Sequence, residues 1–136
     1  GANFLLLARA WAAAGIYRVI GDRRALAFAT DQVDWLLGKN PVNLCMFEGL
    51  GAFNSPRYHH RYNMIPGRER GAVPGCVPNG FVKDMGLADR PGFDLSKVGG
   101  RSPSFRTCEP WLVHNLWYLM AMGELHRAVS ASFRTQ

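Results

Sequence analysis

Asn54-Ser55-Pro56-Arg57-Tyr58-His59-His60-Arg61-Tyr62 is a run of turn formers, paired imidazoles, two guanidiniums and two phenols. A packed core has no use for such a run, because each of these groups seeks water, a partner or a ligand. It sits inside a longer stretch, about 39–108, where neither a helical nor a strand period is sustained. Every proline except Pro110 falls there, together with most of the glycines. A structureless loop of that length is uncommon in a compact domain and is usually functional. Val73-Pro74-Gly75 and Val77-Pro78-Asn79-Gly80 are turn chemistry. Short strands are expected near 44–48 and 81–83.

Helices flank the loop. In 3–17, Phe4, Leu7, Ala8, Trp11, Ala12 and Ile16 recur at helical spacing. This helix is apolar nearly all round, as one buried among others would be. Residues 23–37 form a second helix with Asp22 as its N-cap; Leu26, Ala29, Val33, Leu36 and Leu37 make one face. Gly38 stops it and Pro41 forbids its return. Residues 110–129 form a third, with Pro110 at the first helical position and Glu109 at or beside the N-cap. Its expected apolar stripe is Leu112, Asn115, Leu116, Leu119, Met120 and Gly123. Three helices can hardly enclose so long a loop, so the chain reads either as small and loop-heavy or, in better keeping with its abrupt start inside a helix, as the end of a larger helical assembly.

With 136 residues, 48% hydrophobic and 19% charged, the composition is that of one globular domain. The net charge of +6 is scattered, and the clustered basic face of a nucleic-acid binder is missing. No segment reads as a membrane span, and no basic region precedes the apolar N-terminus as in a signal peptide. Cys45, Cys76 and Cys108 are widely spaced, with no CxxC pair, and read as buried thiols.

The chemistry can come from two places. His59, His60 and Arg61 offer directed donors, and Tyr58 and Tyr62 offer flat surfaces for sugar rings. A solvated polar loop, or a metal site built from His59, His60 and a cysteine, are the other readings. Glu109 stands where the polar loop meets an apolar run, two residues before Trp111. Packing against apolar groups raises a carboxyl pKa as a general acid needs, whereas a helix N-terminus favours the charged form. Asn115 either bonds nearby backbone or orients a site. His114 and His126 read as packed or surface histidines. Asp84, Asp89 and Asp94 read as turn residues or carbohydrate contacts, without calcium spacing.

Taken together, Asp34-Trp35-Leu36-Leu37-Gly38-Lys39-Asn40-Pro41, Gly49-Leu50-Gly51, Ser55-Pro56, His59-His60-Arg61, Val73-Pro74-Gly75, Pro78-Asn79 and the Phe105, Glu109, Asn115 spacing resemble the C-terminal part of a glycoside hydrolase family 9 catalytic domain. The resemblance implies an all-α fold, the C-terminal portion of an (α/α)6 barrel, with three helices and a long active-site loop. It implies Glu109 as general acid and His59 beside it, His59 and Arg61 contacting the sugar next to the scissile bond. His60, Tyr58, Tyr62, Phe105 and Asn115 complete the expected binding set. The activity implied is inverting hydrolysis of β-1,4-linked glucans or oligosaccharides, without metal or cofactor, by a secreted or periplasmic protein. The catalytic base lies in an upstream motif outside this sequence, so the chain needs the N-terminal remainder of the domain and is expected to be inactive alone. Tyr58, Gly100 and Cys108 depart from the family pattern, with Asp94 a candidate substitute for the acid missing at Gly100. An inactive carbohydrate-binding relative is the alternative on the same scaffold.

Overall fold

A computed structural model describes residues 1–83, 92–98 and 102–134. The chain is all-α. Helix α1 spans Asn3–Ile20, α2 Arg23–Leu37, α3 is the single turn Phe105–Cys108, and α4 spans Leu112–Arg134; a 3-10 turn covers Arg61–Met64. Helix α1 runs three residues past its expected end and stops at Gly21, whose φ of 73° suits glycine. Asp22 caps α2 through its side chain, accepting from the Arg24 N–H, and Gly38 closes that helix. Among the described residues no helix is long and apolar enough to cross a membrane.

Helix α1 packs against both α2 and α4. Its buried face is Asn3, Leu7, Ala10, Ala13 and Ala14. These small side chains let the α4 backbone come close, meeting Ala121, Leu125 and Ala128 in one core with Val33, Leu36, Leu44, Met46 and Val77. Glu124, buried on α4, pairs with Arg18 of α1 and with Arg127. The expected faces of α1 and α4 are therefore turned. Trp11 and Ile16 are exposed, and the stripe Leu112, Leu116, Leu119, Met120 points outward, with Leu112 85% exposed. Both helices are apolar on two sides, so the hydrophobic period alone does not say which side meets the neighbour. Two-sided apolar helices are what a portion of an (α/α)6 barrel would carry.

No strand forms among the described residues at 44–48 or 81–83. Two isolated bridges occur instead among the described residues, Pro78 with Pro110 and Val82 with Gly92. The backbone of 44–48 bonds instead to scattered partners: Cys45 N–H to Phe53 O, Met46 N–H to Leu36 O and Glu48 N–H to Cys76 O. Asparagine side chains, each with a donor and an acceptor, supply much of the rest. Asn40 accepts from the Val42 and Leu44 N–H groups and donates to the Trp35 and Leu44 carbonyls. Asn54 donates to Cys45, Phe47 and Leu50 and accepts from Gly49.

An ion pair between buried Glu48 and half-exposed Arg70 closes the loop. Arg70 donates two hydrogen bonds to the Glu48 carboxylate, at 2.6 and 2.7 Å, and two more to the Ser55 carbonyl. The Tyr58 hydroxyl donates to the same carboxylate at 2.6 Å. Arg70 also lies 5.6 Å from the centre of the Tyr58 ring, within cation–π range. At Gly71, φ is 68° and a side chain would press on the Tyr58 carbonyl. Burial and the adjoining Glu48 carboxylate push the Tyr58 phenol well above its ordinary range.

On α4, His114 is buried and its Nε2 lies 2.8 Å from Asn79 Oδ1. The Asn79 Nδ2 donates to the Phe105 carbonyl, so Oδ1 is the acceptor and His114 carries its proton on Nε2. Its Nδ1 is buried without a hydrogen-bond partner. Burial pushes this imidazole down to about 4 from 6.5.

Two outcomes are expected. Arg70→Met leaves Glu48 buried with Tyr58 alone as a side-chain partner. It should destabilise the fold by roughly 2–4 kcal/mol in urea unfolding, since breaking a buried pair is costly and the guanidinium is partly solvated. A change below about 0.5 kcal/mol would show that this pair is not structural. For His114, the unfolded ring binds a proton between pH 6.5 and 4 that the folded ring refuses. Its contribution is therefore complete above 6.5 and is lost as pH falls towards 4, at no more than about 1.4 kcal/mol per pH unit. His114→Gln, which does not titrate, should flatten the stability–pH curve in that window; identical slopes would refute the assignment.

Candidate functional site

The backbone of the His-His-Arg run is held on both sides. The Tyr58 N–H donates to Arg70 O at 2.7 Å, and the His59 N–H donates to Cys108 O at 3.1 Å, one residue before Glu109. The run thus lies across the end of α3. Ser55, Arg57 and Tyr58 are buried, His59 and His60 half-buried, and Arg61 and Tyr62 exposed. The transition from scaffold to surface happens between Tyr58 and His59.

Glu109 stands outside both helices. It is extended (φ −81°, ψ 123°) after α3, and α4 begins only at Leu112, with the Trp111 carbonyl accepting its first bonds. The expected N-cap position is therefore corrected. Pro110 is held in the bridge to Pro78, which removes it from the first helical position.

A cleft of about 410 Å³ has His59, His60, Arg61, Asn63, Glu109 and Pro110 among its walls. Loop and acid, 50 residues apart in the chain, meet there. The two imidazoles are fixed in opposite senses. His59 Nδ1 is 3.0 Å from Pro103 O, which can only accept, so Nδ1 carries a proton. His60 Nδ1 accepts from the Tyr62 N–H, so Nε2 of its neutral ring donates. Phe105, 59% exposed, sets its ring edge-on to His59 at 6.0 Å, and Tyr62 packs against His60 at 4.5 Å. Among the described residues no side chain pairs with the Arg61 guanidinium.

Two expected sugar contacts lie elsewhere. Tyr58 is 0% exposed and hydrogen-bonded to Glu48, so its ring offers no face to a ligand. Asn115 accepts from the Val77 N–H and donates to Gly75 O, which ties the 75–77 turn to α4. Asp94 is buried, its carboxylate accepting from the Ser96 and Ser104 N–H groups, so it shapes the loop ahead of α3. Gly100, Asp84 and Asp89 lie outside the described residues. The three cysteines are free and buried; burial pushes the Cys76 thiol up to about 11. Among the described residues no group of three or more His, Cys, Asp or Glu side chains is placed to hold a metal. Glu48, Arg70 and Asn79 were missed as organisers of the site. Only Asn79 had a local signal, its place in a proline–glycine turn.

The stretch from residue 1 to residue 90 matches the family model Glycosyl hydrolase family 9. Over 59 residues the chain is 41% identical to Endoglucanase 13 of Oryza sativa subsp. indica, covering 43% of this chain and 9% of that protein. Over 53 residues it is 40% identical to Endoglucanase 13 of Oryza sativa subsp. japonica, covering 38% of this chain and 8% of that protein. The aligned part is thus under a tenth of the length of either relative. The family model, by contrast, takes in most of this chain, from α1 through the His-His-Arg loop: the chain belongs to glycosyl hydrolase family 9.

Proposed function

We propose that this chain supplies the general acid and the sugar-binding loop of an inverting β-glycoside hydrolase that cleaves β-1,4-linked glucans. The supporting observation is the cleft that sets Glu109 against His59, His60 and Arg61. The names of the two rice relatives, both endoglucanases, favour the same substrate class. Glu109 lies beyond the residues matched by the family model, so its role rests on this geometry.

In this mechanism protonated Glu109 donates to the glycosidic oxygen as the bond to the anomeric carbon breaks. A carboxylate from the upstream part of the domain takes a proton from water, which attacks the opposite face of the ring. Room for that water requires the two carboxyls to be roughly 6.5–9.5 Å apart. His59 and Arg61 hold hydroxyls of the sugar next to the scissile bond, with His60, Tyr62 and Phe105 extending the contact. Among the described residues Glu109 is the one carboxylate lining the cleft, so in this reading activity requires the upstream part of the domain. In this reading the protein is secreted or periplasmic.

The test uses the full-length protein and a soluble β-1,4-glucan. Glu109→Gln should lower turnover by about 10²–10⁴-fold, the usual worth of a general acid, and the sugar first released by the parent should be the α-anomer by NMR. Full activity in Glu109→Gln would overturn the acid assignment, and a β-anomer would overturn single displacement. A parent that binds the glucan without cleaving it would make the chain part of a carbohydrate-binding relative.

A further inference from the structure

We infer that Asn79 is a positioning residue for the proton donor, and that His114 acts through it; this rests on the reading of Glu109 as the general acid. Asn79 grips the segment that carries Glu109 at both ends. Its side-chain N–H donates to Phe105 O at 2.6 Å, and its backbone N–H donates to Glu109 O at 2.9 Å. Between them the Gly80 N–H donates to Thr107 O at 3.0 Å. Three consecutive bonds thus hold α3 and the acid against the 78–80 turn. Gly80 has φ of 92°, and a side chain there would collide with Asn3, which itself donates to Pro78 O.

The Phe105 carbonyl can only accept, so it turns the Asn79 Nδ2 towards itself, and His114 braces the amide from the other side by donating from Nε2 to Oδ1. The reversed amide would set oxygen against carbonyl. Asn79 is 7% exposed and His114 2%, and neither lines the cleft. They touch no reacting atom. They set where the Glu109 backbone lies, and a misplacement of about 1 Å in a catalytic group can cost roughly a hundredfold.

The test uses the full-length protein and two substrates, a β-1,4-gluco-oligosaccharide and dinitrophenyl β-cellobioside. The dinitrophenolate leaves without a proton, so misplacing the acid harms only the first substrate. Asn79→Ala should lower kcat on the oligosaccharide by roughly ten- to a hundredfold with KM little changed, and should largely spare the aryl substrate. His114→Phe should do the same, while His114→Gln, which keeps a donor, should restore the parent value. Equal losses on both substrates, in step with a lower unfolding temperature, would mean a purely structural role and overturn the inference. Glu109→Gln is run in parallel. If it lacks the leaving-group dependence, the acid reading falls; if it shows the dependence and Asn79→Ala does not, only the inference falls. Should Asn79→Ala fail to fold, equal oligosaccharide losses in His114→Gln and His114→Phe would overturn it.

Discussion

The ion pair between Glu48 and Arg70 is the constraint on which the loop depends. It joins positions 22 apart through a bidentate contact, adds Tyr58 as a third member and reaches Ser55 through its carbonyl. A single buried carboxylate would be costly in so poorly regular a region. Two guanidinium N–H groups and a phenol satisfy it, and Arg70 reaches solvent with its far edge. The His-His-Arg run begins one residue after Tyr58, so the position of its imidazoles follows from where that phenol is anchored.

The rest of the loop is held without a sheet. Side-chain amides of Asn3, Asn40, Asn54, Asn79 and Asn115 bond its backbone at Pro78, Leu44, Cys45, Phe105 and Gly75. This explains how so many glycines and prolines coexist with a fixed cleft. Ladder bonds need runs of extended residues, whereas an amide side chain satisfies a donor and an acceptor at one point. The helices supply a floor of small side chains, and the amides fasten the loop to it.

The helical part of the fold was legible in the residues themselves. Asp22, Gly21 and Gly38 marked starts and stops because capping and left-handed turns have local chemical requirements. The His-His-Arg loop and Glu109 stood out as groups that a core would not hold. What stayed hidden was long-range. A lone Glu48 between Phe47 and Gly49 gives no hint of Arg70. The face of α4 that turns inward depends on the alanines of α1. Tyr58 looked like a ligand surface because phenols serve equally well as buried hydrogen-bond donors, and only tertiary context separates the two. The shift of the α4 start from Pro110 to Leu112 came from a bridge to Pro78, 32 residues away.

The boundary between Tyr58 and His59 has a bearing on how specificity can drift. Ser55, Arg57 and Tyr58 are buried, with Arg57 and Tyr58 answering to Lys97 and Glu48, whereas His59, His60 and Arg61 line the cleft. Anchoring and recognition are thus assigned to different halves of one short peptide. If the cleft binds sugar as proposed, substitutions at His60 or Arg61 would retune what it accepts, while a change at Tyr58 would remove a partner of Glu48.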